Sequence, residues 1–350
     1  MPEKTFKYSG EFVLESGQKL PELELTYHTY GRLKSDRSNV VWVCHALTAN
    51  SDALDWWEGL VGPDKLFDPA HHFIVCANMP GSCYGSTGPL STNPKTGAPY
   101  FHDFPFLSIR DMAQAFELLR LHLGIRKIHI GIGGSMGGQQ LLEWAIMVPD
   151  VFENLIPIAT NSRMSPWAIA LNTTQRMAIE ADQTWKERTP EAGQNGLRAA
   201  RAVGMLSYRN YQMFQTRQQE EDDSPVDNFK ADSYQRYQGE KFIRRFNAHS
   251  YWTLSKAMDS HNVGRGRGNI DDALACIEAN VLAIGITSDI LFPTSEQKFI
   301  AAATPNGAYR EIDSDYGHDG FLLEYERLRN VIEKHFLQPK REWVYGCLGI

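Results

Sequence analysis

A strand-patterned run, IHIGI at 128–132, passes directly into GGSMGG and then into the helix-patterned QQLLEWAIM at 139–147. This junction constrains the fold more than any other stretch. A buried strand that becomes a helix within a few residues must turn sharply, and a parallel sheet crossed by helices is the architecture that repeats such turns. The serine at its centre, Ser135, lies in G-x-S-x-G, from Gly133 to Gly137. Between a strand and a helix that pattern reads as a nucleophile turn. The serine takes unfavourable backbone angles, and side chains two residues to either side would collide across the turn, so both positions require glycine. The arrangement exposes a hydroxyl at the positive end of a helix dipole, beside free backbone N–H groups. A phosphate loop is the competing reading, but no GK[ST] follows, and the glycine phase is wrong for a dinucleotide turn.

The rest of the chain repeats the theme. VVWVC at 40–44, FIVCA at 73–77, LIPIA at 155–159 (weakened by its proline) and VLAIGI at 281–286 are near-continuous apolar runs. Such runs indicate strands buried on both faces of a parallel sheet. A helical period covers 109–123, and the more alternating N-terminal segment reads as an antiparallel pair at the sheet edge. From 167 to 258 the chain is rich in Gln, Arg, Met and Tyr and poor in β-runs, so it reads as amphipathic helices broken by a solvated acidic loop, QQEEDDS at 218–224. GRGRG at 264–268 reads as a mobile turn. The fold class expected is α/β, a mostly parallel sheet flanked by helices, with residues 1–165 and 275–350 as the core and 166–274 as an inserted helical lid.

A serine nucleophile needs a base and an acid that orients it, in the chain order Ser, Asp or Glu, His, each at the end of a strand. Downstream of Ser135, His249 and His261 fall in the helical insertion and His335 on a surface helix. His318 follows a β-like stretch, in the loop DSDYGHDGF, and is the expected base. Asp289, in TSDILFP after VLAIGI, is the expected acid; Asp313 and Asp315 are too close to His318 in sequence to fill that role. Asp289 also has the sequence setting of a plain turn residue. For the oxyanion, two backbone donors are expected: the N–H of Met136, after the nucleophile, and that of Leu47, in the loop HALT at 45–48.

Composition excludes other classes. With 35 basic and 42 acidic side chains, the net charge of −7 disfavours nucleic acid and anionic membrane as partners. No apolar run approaches the ~18 residues that span a bilayer, and the N-terminus has no secretory apolar core. The five cysteines, Cys44, Cys76, Cys83, Cys276 and Cys347, are odd in number and without CxxC spacing, which fits free thiols in a reducing cytoplasm. No metal-ligand spacing is present; His71-His72 reads as a surface turn, and no metal is expected.

Several blocks together resemble the homoserine O-acyltransferases of the α/β-hydrolase superfamily: CHALTANSDA, NMPGSCYGSTGP, GGSMGGQQLLEWA, SYRNYQ, QRYQGEKFIRRFNAHSYWTLSKAMDSHNV and DYGHDGFLLE. The resemblance runs over about residues 10–335. Two positions depart from it: Ser82 stands where glycine is expected, and Gln139 where an apolar residue is common. The resemblance implies ping-pong acyl transfer from an acyl-CoA, most often acetyl-CoA, to the side-chain hydroxyl of L-homoserine, in methionine biosynthesis. Acyl-CoA is then a co-substrate, with no permanently bound cofactor. It also implies that Arg209 and Asp319 hold the amino acid, and that the chain forms a homodimer through the lid. Succinyl-transferring and serine-acylating relatives remain open. So does an esterase or thioesterase with the same triad, since the acyl-enzyme is common to both.

Overall fold

The computed structural model of the chain describes residues 2–336. Its strands are β1 (Lys4–Tyr8), β2 (Phe12–Val13), β3 (Lys19–Leu20), β4 (Leu23–Tyr30), β5 (Val40–Cys44), β6 (Phe73–Ala77), β7 (Ile128–Gly134), β8 (Phe152–Ile158), β9 (Asn280–Ile286) and β10 (Gly307–Ile312). Eight of them form one sheet in the order β1-β4-β6-β5-β7-β8-β9-β10, and β2 and β3 make a separate ribbon. From β6 onward in that order the pairs are parallel, while β1 and β4 form the expected antiparallel edge. The chain therefore has the α/β fold that its strand pattern predicts.

Why the central runs are apolar throughout is visible in β5. Val40, Trp42 and Cys44 pack into the core on one side of the sheet, and Val41 and Val43 into the core on the other. Strands covered on both faces have no polar alternation to show. The first core holds Trp42, Phe116, Trp144 and Phe152, with Trp42 and Trp144 edge to face at 4.9 Å. The second holds Val41, Ile132, Ile156, Ile284 and Phe321.

The helices are α1 (Ala53–Trp56), α2 (Ile109–His122), α3 (Met136–Met147), α4 (Pro166–Glu180), α5 (Gln194–Tyr208), α6 (Tyr211–Arg217), α7 (Lys230–Ile243), α8 (Ala248–Asp259), α9 (Ile270–Ala275), α10 (Thr294–Ala303), α11 (Gly320–Leu323) and α12 (Tyr325–Phe336). Helix α2 starts at a capping box: Ser108 accepts from Asp111 N–H, and Asp111 accepts from Ser108 N–H. Helix α3 begins at Met136, three residues before its apolar pattern does. Its first turn carries Gly137 and Gly138, poor helix formers that hide the start from a propensity reading.

Helices α4 to α9 lie between β8 and β9. Their buried side chains, among them Ile179, Leu197, Phe242, Tyr251 and Leu254, belong to the same apolar cluster as Trp42 and Trp144. The acidic stretch in this segment is a loop with Glu221 to Ser224 exposed, as the sequence indicates. The turn at 264–268 departs from expectation. It is tied down: Arg265 forks onto Glu15 at 3.0 and 2.8 Å, and Arg267 reaches the buried Glu143 at 2.7 Å, which Arg110 also contacts at 3.1 Å. Sequence spacing carries no sign of these partners because Glu15 and Glu143 lie far away in the chain.

Candidate active site

Ser135 caps the N-terminus of α3 with φ 56 and ψ −124, a conformation that side-chain-bearing residues rarely adopt. Its N–H donates to Ile158 O at 2.9 Å, and its carbonyl accepts from Thr160 Oγ1 at 2.7 Å, so the strained turn is held at both ends. The flanking glycines are required by contact. A Cβ on Gly137 would stand 2.1 Å from Cys44 O, and one on Gly133 would stand 2.7 Å from the Gly137 carbonyl carbon. The clash at Gly133 is the cross-turn collision predicted from the motif. The clash at Gly137 is with a different strand, β5, at the point where the 45–48 loop begins. The glycine therefore also seats the nucleophile turn against the loop that carries Leu47.

The N–H groups of Leu47 and Met136 have no acceptor among the described residues. Leu47 lines the same cavity as Ser135, and Met136 opens α3, where the first N–H groups lack intrahelical partners. One residue that sequence reasoning left unassigned braces this loop. His45 is fully buried, and its Nδ1–H donates to Ala46 O at 2.9 Å while Nε2 accepts from Met79 N–H at 3.3 Å. Burial lowers its pKa to about 4. The ring is thus a neutral spacer with both nitrogens used.

Asp289 follows β9 and performs two tasks. Its Oδ1 accepts from the N–H groups of Leu291 and Phe292 at 2.8 and 2.9 Å, which is the turn role its sequence setting suggests. Its Oδ2 accepts from Nδ1 of His318 at 2.7 Å. The His318 ring sits among Phe292 at 5.3 Å, Phe321 at 5.5 Å and Tyr208 at 6.0 Å. With Nδ1 on Asp289, Nε2 is the nitrogen left for the cavity. Burial pushes the His318 pKa down, but the Asp289 carboxylate, by charge and by hydrogen bond, and then Asp319 outweigh it and hold the pKa above the ordinary 6.5. No hydrogen bond joins Ser135 to His318 here; such bonds are commonly long until substrate binds. Asp313 and Asp315 are exposed. His249 and His261 are buried elsewhere, on the carbonyls of Thr189 and Asn161.

Ser135, His318, Asp319, Arg209 and Leu47 line one cavity of about 430 Å³, walled by α5 and α7 of the inserted helices. Arg209 caps the C-terminus of α5, and its Nε lies 3.0 Å from Asp319 Oδ2, close enough for an ion pair but not aligned as a hydrogen bond. Gly317 makes this meeting possible. It has φ +63, and a Cβ there would stand 2.8 Å from the Arg209 carbonyl carbon and 2.9 Å from Tyr208 O. Burial raises the pKa of Asp319, while Arg209, His318 and Arg201 act against it. Gln139 is buried and donates to Asn161 Oδ1 at 2.8 Å, and Ser82 is buried as well; neither lines the cavity. Cys44 and Cys76 are buried free thiols, Cys83 is half-buried and Cys276 exposed, while Cys347 lies outside the described residues. Among the described residues no helix is long and apolar enough to cross a membrane.

Residues 39–325 match the family profile described as the alpha/beta hydrolase fold. A homoserine O-acetyltransferase of Cyclobacterium marinum is 52% identical over 338 residues, covering 97% of this chain and 96% of that protein. The chain belongs to the homoserine O-acetyltransferase family. The homoserine O-acetyltransferase of Chlorobaculum parvum is 46% identical, over 93% of this chain and 92% of its own. Among solved structures, homoserine O-acetyltransferase from Staphylococcus aureus superposes with a TM-score of 0.80 at 30% identity, over 97% of this chain and 96% of that one. Esterase E22, at 22% identity, 95% and 99% coverage and a TM-score of 0.85, shows the same fold.

Proposed function

We propose that the protein transfers the acetyl group of acetyl-CoA to the side-chain hydroxyl of L-homoserine through an acyl-Ser135 intermediate, as a step of methionine biosynthesis in the cytoplasm. Ser135 Oγ attacks the thioester carbonyl while His318 Nε2 takes its proton. The oxyanion is held by the N–H groups of Leu47 and Met136. Collapse expels CoA, and His318 returns the proton to the departing sulfur so that CoA leaves as thiol and the ring is neutral again; where CoA leaves as thiolate, His318 passes its proton to solvent before the acceptor reacts. Homoserine then enters, His318 takes its hydroxyl proton, and the new alkoxide attacks acyl-Ser135, which leaves as serine with that proton restored. Asp289 orients His318 and stabilises its cation.

The observation that carries this reading is the Arg209–Asp319 pair in the cavity of Ser135 and His318. A zwitterion suits that pair, its carboxylate on the guanidinium and its ammonium on the carboxylate. A plain esterase needs no such charges. Lys241 and Arg245 on the cavity wall suit a phosphate-bearing donor. Exposed Leu206, Tyr211, Phe229 and Tyr237 on or beside the inserted helices suit a homodimer formed through them. The test is CoA release from acetyl-CoA or succinyl-CoA with L-homoserine, L-serine or no acceptor. Release that requires homoserine and acetyl-CoA is expected; release indifferent to acceptor would mean that water deacylates the enzyme. Ser135→Ala is expected to abolish the acyl-enzyme detected by mass.

A further inference from the structure

Arg201 is a cation of the cavity without an anion. It lies on α5 with Met205 and Tyr208, four and seven residues on, and these three side chains share the face that lines the cavity. Its guanidinium stands 4.9 Å from the Phe242 ring centre and 5.6 Å from that of Tyr208. Its Nε is buried with no acceptor, and no carboxylate pairs with it among the described residues. The other cations of the wall differ. Arg209 has Asp319. Arg245 donates to Tyr84 Oη at 2.7 Å and to Thr48 O. Lys241 is exposed to water. Arg201 as a whole is half-buried, but a guanidinium N–H shut off from water and left without an acceptor is unfavourable, and aromatic faces offset only part of that loss.

We propose that Arg201 is a second arginine for the acceptor, binding the α-carboxylate of the amino acid together with Arg209; this rests on the amino-acid acyltransferase reading above. The position on α5 favours the acceptor over the donor. Arg201 is on the helix that ends at Arg209, Tyr208 lies between them against His318, and its charge acts on Asp319. Pairing agrees. Arg209 is already engaged by Asp319, so an incoming carboxylate must share that guanidinium, whereas Arg201 has no carboxylate partner among the described residues and offers a cation that is not shared.

The test is Arg201→Gln measured in separate half-reactions, with Arg201→Lys as the second variant should the first fail to fold. Acylation is followed with acetyl-CoA and with p-nitrophenyl acetate. Deacylation is followed with L-homoserine and with homoserinol, which lacks the carboxylate. We expect the KM for homoserine to rise about 10- to 100-fold, the loss of one charge-assisted contact, with homoserinol and both acylations unchanged. Arg201→Lys should show the same selectivity at smaller size. Equal losses with homoserine and homoserinol would overturn the proposal in favour of a packing role on Phe242. Slower acylation from acetyl-CoA but not from p-nitrophenyl acetate would overturn it in favour of donor binding. A wild-type protein that releases CoA equally with homoserine, homoserinol or water would overturn the transferase reading and this assignment with it.

Discussion

The two halves of the cavity are held together in different ways. At the nucleophile, every contact falls on the backbone of the turn: Gly137 lies against Cys44 O, and Ser135 is pinned through its N–H by Ile158 O and through its carbonyl by Thr160 Oγ1. On the acceptor side, side chains from remote segments meet: Arg209 from the end of α5 and Asp319 from the loop after β10, brought together where Gly317 passes under Arg209. The first site is centred on one continuous stretch, Gly133 to Gly137, braced by the neighbouring strands. The second joins residues more than a hundred positions apart in the chain. The difference separates a chemical step, which needs a rigid turn, from acceptor choice, which is set by how one helix end sits over one loop.

That contrast breaks if substitutions in the two halves act alike. Gly137→Ala should have the largest effect. The only way to place a Cβ 2.1 Å from Cys44 O is to move α3 or β5, and with them both oxyanion donors. Both half-reactions should fall by about 10³-fold or more, and stability by about 4 kcal/mol. Stopped-flow acylation and deacylation, with a denaturant melt, check it; a loss confined to one half-reaction would show that the turn and the oxyanion loop move independently. Gly317→Ala should be milder and asymmetric. Its Cβ pushes on the Arg209 backbone rather than on Ser135, so transfer to homoserine should fall about tenfold more than acylation does, a misplacement of the kind that costs up to ~10² in rate.

The same contrast explains what was legible. Ser135, Asp289 and His318 each carry a local signature: a glycine-framed turn, an Asx turn after a strand, and a histidine in a loop of Gly and Asp. Strand burial on both faces made β5, β6 and β9 readable to within a residue. Arg209 has no such signature; its role was reached by resemblance, and its neighbours SYRNYQ look like any helix end. The turn at 264–268 was misread because its anchors, Glu15 and Glu143, are visible only in three dimensions. Arg201 was missed because a lone arginine on an amphipathic helix reads as a solvated residue until the lining of the cavity is known. His45, two residues from Leu47, carries no local signature of its role: only the structure shows that it is buried and neutral, with both ring nitrogens used.

Buried neutral histidines also set the acid limit of the fold. His45 and His261 both have pKa values lowered to about 4 by burial, against an ordinary 6.5. The unfolded chain therefore binds more protons than the folded one between those values, so stability falls as pH drops through that window. For His261 the cause is explicit: Nε2 is on Asn161 O and Nδ1 is buried with no acceptor for a second proton. Each should cost about 2 kcal/mol on going from pH 7 to about pH 5. Urea midpoints of His261→Gln, compared with wild type at the two pH values, should show a smaller acid loss; an unchanged slope would place the acid sensitivity elsewhere.

The smallest effect expected is the one that couples the two halves. His318 must be neutral to act as base, so the acylation rate rises with pH, with a midpoint above 6.5 because its folded pKa is raised. Stability runs the other way. A histidine raised in the folded state contributes fully below 6.5, and that contribution is lost as pH climbs through the folded value. Asp289→Asn removes the main opposing charge and should bring the activity midpoint down sharply. Asp319→Asn should move it in the same direction by less than Asp289→Asn does, since Asp319 is the lesser of the two carboxylates raising His318. Acylation by p-nitrophenyl acetate reports this without any acceptor. An ammonium seated on Asp319 would cancel the same charge. Homoserine should therefore lower the pKa of His318 as it binds, making the base neutral at the moment it is needed. A midpoint unmoved by Asp319→Asn would mean that the acceptor side holds the amino acid and nothing more.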